Sequence, residues 1–477
     1  MAERHPMGGK IRALRRREGL TQAQLAERLA ISPSYLNLIE HNRRPLPAAL
    51  LIRLAQLFAL DLQTLSPDGD AHLAAGLRNA LRDSLFEGLE VPDSELHDMA
   101  AGSPALASAV LTLYRAYRER RDSAHSLASS MSDGNELTTI VRARLPSEEV
   151  SDLLQRHMNH FPDLEQGAET LGREARAEGA DLGQALESLL KQNHGVTTRI
   201  EKVDAMRGAS RRYDPATRTL TLSELLRRGS RNFQLAYQLG LLTQAPALER
   251  TASDPQLTTP ESRALARIAL ANYFAAAVLM PYAPFLEAAR EVRYDVQLLG
   301  HRFRASFEQI CHRLTTLRRP GSEGVPFHLV RVDIAGNLSK RFSASDLRFA
   351  RFSGACPRWV VFSAFLTPGL TRTQVSQMPD GARHFWVART LHKEGGGYHA
   401  RQSVLALALG CDVRHAREIV YADGVDLDSR RAVVPVGVTC RLCERVDCEQ
   451  RAFPSLQHPL QVHENVRGMS FFAPVPE

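Results

Sequence analysis

The sequence predicts a multidomain protein that is mainly α-helical, with a C-terminal part of the α+β class. Its 477 residues exceed what one compact core normally holds. Helical periodicity dominates the first two thirds of the chain, whereas alternating apolar and polar residues begin only after Val325. We therefore predict four units, with boundaries at 1–66, 67–150, 151–324 and 325–477.

Composition is typical of a globular protein without membrane-spanning helices. Hydrophobic residues make up 44% of the chain, and no run of about 18 apolar residues occurs. The N-terminal residues lack the apolar core of a secretory signal. We therefore expect a cytoplasmic protein, in which the six cysteines serve as free thiols or metal ligands rather than as disulfides.

Positive charge is concentrated at the N-terminal end. The segment 1–60 contains ten lysine or arginine residues and four glutamates, which accounts for most of the net charge of +7. The chain uses arginine in preference to lysine almost everywhere, which explains the residue type but not its position. A small domain that concentrates cationic side chains is typical of proteins that bind a polyanion.

Short helices separated by tight turns are predicted in the same segment. Thr21 and Ser32 are suited to cap the second and third helices, and Pro33 occupies the first position of the third. Two helices joined by a tight turn, the second exposing small and polar side chains at its start, form a helix-turn-helix. The alternative is a helical protein-interaction module, which the basic residues flanking the third helix disfavour.

This segment resembles the Cro/phage-repressor-like family of helix-turn-helix domains over essentially its whole length. The resemblance implies that Gln22 contacts a phosphate and that side chains of the third helix face base edges in the major groove. Two arginines after that helix would contact the DNA backbone. The implied DNA-contacting residues are Gln22, Ser32, Ser34, Tyr35, Asn37, Arg43 and Arg44. Because such domains usually bind half-sites as dimers, we expect a homodimer, with 67–150 as its helical linker and interface.

The middle unit contains an apolar helix, RNFQLAYQLGLL, at 231–242. Together with ANYFAAAVLMP at 271–281, this helix resembles the ImmA/IrrE metallopeptidase-like family. In active members the helix carries H-E-x-x-H, whose histidines bind zinc and whose glutamate activates water. The matching positions here hold Tyr237, Gln238 and Leu241. Because a phenol, an amide and an isobutyl group cannot form a catalytic zinc site, we expect a degenerate peptidase-like scaffold that is not an enzyme.

The C-terminal unit is predicted to be an α/β sensor. FHLVRVDIAGNLSKRF alternates around a Gly336-Asn337 turn and predicts a hairpin, and WVVFSAFL and ARHFWVARTLH are predicted strands. The following SVLALALGCDVRHAREIV is predicted to form two helices with a break at Gly410. This order fits a sensor of the GAF or PAS type, although other α+β folds share the same periodicity.

Three cysteines near the C-terminus, Cys440, Cys443 and Cys448, have the spacing C-x2-C-x4-C. Two thiolates two residues apart can bind one metal from a tight knuckle, and a third can reach it from the next turn. The candidates for the fourth ligand are Cys356, Cys411 and His458. We favour Cys356, which precedes a proline in a rigid loop, and structural zinc, because a closed thiolate site can fold a loop-rich tail. An iron–sulfur cluster and a set of reduced thiols are the alternatives.

The head, the middle helix and the tail GCDVRHAREIVYADG…CRLCERVDCEQRAFP together resemble one family along almost the whole chain. It is the family of short-chain fatty acyl-CoA-responsive transcription regulators of bacteria. The resemblance implies control of propionate, acetate or related acyl-CoA metabolism, with a propionyl-CoA or acetyl-CoA type of effector.

A glycine-rich turn with neighbouring cations and aromatic rings is the candidate effector pocket, because backbone N–H groups and cations bind phosphates. Its residues are Trp386, Arg389, Gly395, Gly396, Gly397, Tyr398, His399 and Arg401. Two other functions stay open at this point. One is a redox- or metal-sensing regulator that uses the C-terminal cysteines, and the other is a regulator with residual metallopeptidase activity.

Overall fold

The computed structural model describes most of 11–57 and 73–117, residues 145–345 except 178–180, and most of 347–472. The chain divides into two compact units, Met1–Thr138 and Thr139–Glu477, each of which has hydrophobic cores of its own.

The first unit contains the predicted helix pair, α1 (Gln22–Arg28) and α2 (Pro33–Glu40). Thr21 caps α1 through a capping box with the side chain and backbone of Gln24, and the Ser32 hydroxyl accepts a hydrogen bond from the Tyr35 N–H at 3.2 Å. Both predicted N-caps are therefore confirmed. Each helix buries one apolar face in a common core that includes Leu25, Leu36, Ile39, Leu50 and Leu54.

A second core in this unit joins a short 3₁₀ helix, Ser84–Phe86, to helix α3 (Asp93–Gly102) and the helical residues 106–114. Leu111 and Tyr114 face this core, whereas Leu113 is exposed. The predicted dimer interface in this region stays a prediction.

The second unit begins with a helical layer around a small sheet. Its helices are α4 (Pro146–Arg156), α5 (Pro162–Ala177), α6 (Leu182–His194), α7 (Val203–Met206), α8 (Arg228–Thr243), α9 (Ala245–Ala252), α10 (Pro260–Leu279), α11 (Tyr282–Glu291), α12 (Val296–Phe303) and α13 (Phe307–Thr315). The strands are β1 (Thr197–Glu201), β2 (Arg211–Asp214) and β3 (Thr219–Ser223). In the order β1-β3-β2, β1 runs parallel and β2 antiparallel to β3.

Helices α8 and α10 pack closely where Gly240 of α8 faces Phe274 of α10. A Cβ atom at Gly240 would lie 2.6 Å from the Phe274 ring, so glycine permits this approach. Leu235 and Leu239 are buried in the same core as Phe274. Within the described residues, no single helix is long and apolar enough to cross a membrane, and the bent pair α10–α11 meets that test by length and composition only.

The C-terminal part contains a six-stranded sheet in the order β5-β4-β8-β7-β6-β9. Its strands are β4 (His328–Asp333), β5 (Leu338–Phe342), β6 (Arg372–Gln377), β7 (Arg383–Lys393), β8 (Ser403–Asp412) and β9 (Val433–Pro435). All neighbours are antiparallel except β6 and β9. The predicted hairpin at Gly336 and the strand at β7 are confirmed, and the assignment to a GAF or PAS type stays a prediction.

Two predictions for this part are wrong. The segment SVLALALG, predicted as a helix, forms β8 in the centre of the sheet between β4 and β7. A strand buried on both faces has a continuous apolar pattern, which periodicity cannot distinguish from a buried helix. At Gly410, a Cβ atom would overlap the Trp386 indole, so the glycine serves packing rather than a helix break.

The segment WVVFSAFL, predicted as a strand, forms the short helix α14 (Val360–Ser363) and a 3₁₀ turn, Ala364–Leu366. Val360 and Val361 are buried as α14 packs on the face of the sheet, so tertiary packing overrides the β propensity of these residues.

Each face of the large sheet packs against a different layer. Phe385, Val387 and Leu407 face the helical core, whereas Trp386, Ala388 and Ala406 face α14 and the cysteine-bearing loops. The sheet therefore separates the peptidase-like helices from Cys356 and the loops packed around it.

Candidate functional site

The start of α2 presents polar groups to solvent, as the sequence predicts. Ser34 and Asn37 are exposed, and Tyr35 is half-buried beneath the guanidinium of Arg44, whose Cζ lies 5.1 Å from the ring centroid. Exposed Arg43 and Arg44 follow the helix directly, and their backbone N–H groups both donate to the Leu38 carbonyl. Polar side chains and cations therefore occupy one end of a short helix.

A buried glutamate holds the two helices together. Glu40, whose side chain is 1% exposed, accepts hydrogen bonds from Arg15 Nε at 2.7 Å and Nη2 at 3.1 Å, and from Gln22 Nε2 at 3.0 Å. The Gln22 Oε1 in turn accepts a bond from Asn37 Nδ2 at 3.4 Å. Sequence reasoning missed Arg15 and Glu40, although an acidic residue on the buried face of an apolar helix requires such a partner.

This network fixes the orientation of the predicted DNA contacts. It ties Gln22 and Asn37 to each other, while the Ser32 hydroxyl is engaged as the cap of α2. An exposed asparagine amide on a helix can donate to and accept from an adenine edge, and arginines after the helix can pair with phosphates. The arrangement is suited to a helix that enters the major groove.

On the peptidase-like helix α8, Tyr237 stands at the position of a metal-binding histidine and Gln238 at that of the water-activating glutamate. Both residues are buried, and Leu241 is half-buried one turn later. Arg211 of β2 donates from Nη1 to Gln238 Oε1 at 2.5 Å, and its guanidinium lies 4.3 Å from the Tyr237 ring centroid. A cationic side chain therefore contacts two of the positions that would carry the metal-binding histidine and the glutamate.

The structure brings most of the predicted cysteine ligands into one neighbourhood. Burial raises the pKa of Cys356, and negative charge on Cys440 and Cys443 raises it further. Burial likewise raises the pKa of Cys443, to which the charge of Cys448 adds. Cys411 lies on β8 in the helical core, on the other face of the sheet.

The loops that carry these thiols are organised by a buried arginine. Arg451 donates to the carbonyl oxygens of Cys440 and Cys443, both at 2.8 Å, and to that of Arg445. Arg445 anchors the loop to the sheet through the carbonyl of Gln377 at 2.9 Å. Among the residues that the structure describes, no three His, Cys, Asp or Glu side chains have the geometry of a metal site.

Two of the predicted effector residues that the structure describes, Trp386 and Arg389, lie on opposite faces of β7. Trp386 is buried, donates from its indole N–H to Ser376 Oγ at 2.9 Å, and lies 5.1 Å from the Trp359 ring. Arg389 lies on the opposite face of β7, with its guanidinium 5.5 Å from the Phe307 ring. His399 is exposed. The remaining predicted residues lie outside the described part of the chain, as does His458: Gly395, Gly396, Gly397, Tyr398 and Arg401.

Helix α2 exposes polar side chains beside two arginines, and the peptidase-like helix α8 has no metal-binding histidines. This combination is typical of a helix-turn-helix transcription regulator. Comparison with known families specifies the class. The family model for a helix-turn-helix domain matches 6–66, that for an IrrE N-terminal-like domain matches 191–315, and that for the short-chain fatty acyl coenzyme A regulator, C-terminal, matches 316–472.

Characterised relatives match nearly the full length. HTH-type transcriptional regulator RamB of Mycobacterium tuberculosis (strain CDC 1551 / Oshkosh) is 41% identical over 96% of both chains. HTH-type transcriptional regulator PrpR of M. tuberculosis (strain H37Rv) is 40% identical over 96% of this chain and 93% of its own. The propionyl-CoA carboxylase regulator of Cereibacter sphaeroides is 40% identical over 98% of both chains.

A solved structure of a Mycobacterium tuberculosis transcriptional regulator is 43% identical, with a TM-score of 0.65, and covers 68% of this chain and 99% of its own. This chain therefore belongs to the family of short-chain fatty acyl coenzyme A regulators, as the sequence predicts. It is a helix-turn-helix transcriptional regulator.

Proposed function

We propose that this protein binds a specific operator in duplex DNA and changes its occupancy of that operator when a short-chain acyl-CoA binds the C-terminal domain. The DNA-binding part rests on the exposed side chains of Ser34 and Asn37 on α2. Asn37 is connected through Gln22 to the buried carboxylate of Glu40. A propionyl-CoA or acetyl-CoA type of effector is supported by the family description and by the name of the C. sphaeroides relative.

Recognition of the operator divides between two kinds of contact. In this proposal Asn37 forms hydrogen bonds with a base edge in the major groove, whereas Arg43 and Arg44 neutralise phosphates without reading sequence. Two copies of the chain bind half-sites about one helical turn, or roughly 34 Å, apart as a homodimer. A coupling free energy of about 1–3 kcal/mol between effector and DNA would change operator affinity about 5- to 150-fold.

The four thiols of Cys356, Cys440, Cys443 and Cys448 fit a structural metal by their chemistry. A zinc ion bound by the four thiolates would cross-link the loop at Cys356 to the C-terminal loop. It would thereby stabilise a segment with few apolar contacts. An iron–sulfur cluster would use the same ligands. Elemental analysis and acid-labile sulfide measured on the purified wild-type chain and on C443S distinguish the two, and full stability with neither zinc nor iron bound would contradict this part of the proposal.

Regulation rather than catalysis follows from the middle domain. Tyr237, Gln238 and Leu241 offer neither the imidazole ligands nor the general base of a metallopeptidase, and the relatives are named as regulators. We propose a protein without peptidase activity that acts in the cytoplasm, at the nucleoid. Peptide cleavage by the purified chain that a chelator abolishes would contradict this.

The experiment that tests the proposal measures affinity for the duplex upstream of the chain's own gene by fluorescence anisotropy at fixed salt. Acetyl-CoA, propionyl-CoA and free CoA are added separately. We expect a several-fold change with an acyl-CoA and a smaller one with free CoA. Equal effects of all three, or none, would contradict acyl-CoA sensing.

A second candidate function is a redox or metal sensor, and the clustering of half-buried Cys440 and Cys448 with Cys443 favours it. In that case DNA affinity responds to a thiol oxidant or to zinc, while acyl-CoAs leave it unchanged. A C440S/C448S variant that retains the acyl-CoA response and loses any oxidant response separates the two functions.

A further inference from the structure

Beside the peptidase-like helix α8 lies a cation without a carboxylate partner among the described residues. Arg211 of β2 is half-buried, and burial lowers the pKa of its guanidinium, with only the neighbouring Tyr237 phenol acting in the opposite direction. Among the described residues, no carboxylate forms an ion pair with Arg211. Removing a charge from water without pairing it is costly, so native proteins rarely retain such a group unless something compensates it.

Neutral hydrogen-bonding groups surround this cation. Gln238 Oε1 accepts one of the five guanidinium N–H bonds at 2.5 Å, and the Tyr237 ring lies against the guanidinium plane at 4.3 Å. The amide nitrogen of Gln238 and the hydroxyl of Tyr237 are further donors on the same helical turn. One positive charge and two neutral side chains with donor groups therefore contact one another.

A second unsatisfied group lies on the same face of α8. Arg231 is two helical turns before Gln238, and its Nε is buried without a hydrogen-bond partner while its Nη2 donates to the Glu224 carbonyl at 3.1 Å. Glu224 follows β3, the strand that pairs with β2 at Arg211. The unsatisfied Nε and the uncompensated guanidinium therefore belong to one region between β2 and α8.

We propose that the region between β2 and α8 binds a carboxylate, with Arg211 as its charged anchor. A planar anion with two oxygens matches the fork of a guanidinium, and its single negative charge matches the single unpaired cation. The carboxylate can belong to a small organic acid or to the C-terminus of a peptide. Strand β2 lies at the edge of its three-stranded sheet, so extended backbone can also add to that edge.

The chain offers a matched control for this site. Arg212 is the next residue of β2, so its side chain lies on the opposite face of the strand, where it is exposed and donates to the Met206 carbonyl at 3.1 Å. R212Q removes the same charge from the same strand without altering the contacts of Arg211. R211M removes the anchor, and Q238E supplies an internal carboxylate that would pair with Arg211 and exclude the ligand.

Thermal unfolding of the full chain and isothermal titration calorimetry test the proposal. The probes are propionate, a short peptide with a free C-terminal carboxylate, the same peptide as its amide, and inorganic phosphate. We expect propionate or the peptide acid to raise the unfolding midpoint of the wild type and of R212Q. In R211M and Q238E the affinity should fall about ten- to a hundredfold, the loss expected for charge-assisted hydrogen bonds.

A response to propionate identifies a small acid, and a response to the peptide acid but not its amide identifies a peptide terminus. Three results would overturn the proposal: no response of the wild type to either carboxylate, an undiminished response in R211M, or an equal response to the peptide amide or to phosphate. Because DNA is absent from these measurements, their failure leaves the operator-binding proposal untouched.

Discussion

Removing the carboxylate from the buried ion pair between Glu165 and Arg313 should strongly destabilise the second unit. Both side chains are essentially inaccessible, with exposures of 1% and 0%. The pair is bidentate, with Nη1–Oε1 at 2.5 Å and Nη2–Oε2 at 3.0 Å, and the Tyr273 hydroxyl donates to the same carboxylate at 2.6 Å. The Arg313 Nε also donates to the Met280 carbonyl at the end of α10, so the pair joins α5, α10 and α13.

The expected magnitude follows from that geometry. Glu165→Gln leaves a fully buried guanidinium without its anion, which costs about 3–5 kcal/mol. In a large domain each kcal/mol lowers the thermal midpoint by about 2 °C, so we expect a fall of roughly 6–10 °C. Replacing both partners, in E165L/R313M, removes the unpaired charge and should recover most of the loss.

The pH dependence gives the prediction a second, independent readout. Burial raises the pKa of Glu165, but the charge and hydrogen bonds of Arg313 outweigh it, so the net pKa lies below the ordinary value of 4.5. The pair therefore stabilises the fold above about pH 4.5, and this contribution is lost as the pH falls towards the lowered pKa of the folded state. E165Q should unfold with a weaker acid dependence than the wild type.

Thermal and urea unfolding of the full chain, followed by circular dichroism from pH 7 down to about pH 3, provide the measurement. A conservative substitution at exposed Glu169, E169Q, serves as the control, because its partner Arg319 is also partly exposed. A loss below about 1 kcal/mol in E165Q, within the range of a surface pair, would refute the account. So would a double variant that is no more stable than the single one.

Three further predictions concern the head, the sheet and acid stability. Glu40→Ala should lower the stability of the helix-turn-helix by about 3 kcal/mol and weaken operator binding, because Arg15 and Gln22 lose their buried acceptor. Unchanged operator affinity would contradict this prediction. Gly410→Ala should destabilise the sheet by about 1–3 kcal/mol and shift the tryptophan emission, because the added methyl group overlaps the Trp386 indole. An unshifted emission spectrum would contradict this prediction. Burial lowers the pKa of His384 below 6.5, so its protonation should destabilise the fold as the pH falls below 6.5, with a limiting slope of about 1.4 kcal/mol per pH unit. H384F should reduce this slope by that amount, and a slope that does not change would assign the acid sensitivity to other groups.

Features that depend on neighbouring residues were predictable from the sequence. Thr21 and Ser32 cap their helices because short oxygen-bearing side chains satisfy backbone N–H groups within three residues. Gly336 marks the β4–β5 turn because it adopts a positive φ of 86°. The positions of Tyr237 and Gln238 on a buried helix likewise follow from the apolar period of the segment.

Features that depend on distant residues were not predictable. β8 lies between β4 and β7, and nothing in its own apolar run indicates that both of its faces are covered. The contact of Arg211 with α8 joins residues 27 positions apart, and that of Arg15 with Glu40 joins residues 25 apart. Trp386 and Arg389 lie close in sequence, yet the alternation of a strand places them on opposite faces. The sequence analysis therefore assigned Trp386 and Arg389 to one effector pocket because of their residue types, although the sheet places them on opposite faces.

The most direct test of the account compares Asn37→Ala and Arg43→Ala in operator binding over a range of salt concentrations. With the duplex from the chain's own upstream region and a scrambled duplex, N37A should lose about 1–3 kcal/mol on the operator only. R43A should weaken both duplexes alike and reduce the salt slope by about one. Identical behaviour of the two variants, or a wild type that binds both duplexes equally, would contradict the assignment of α2 as the helix that reads DNA.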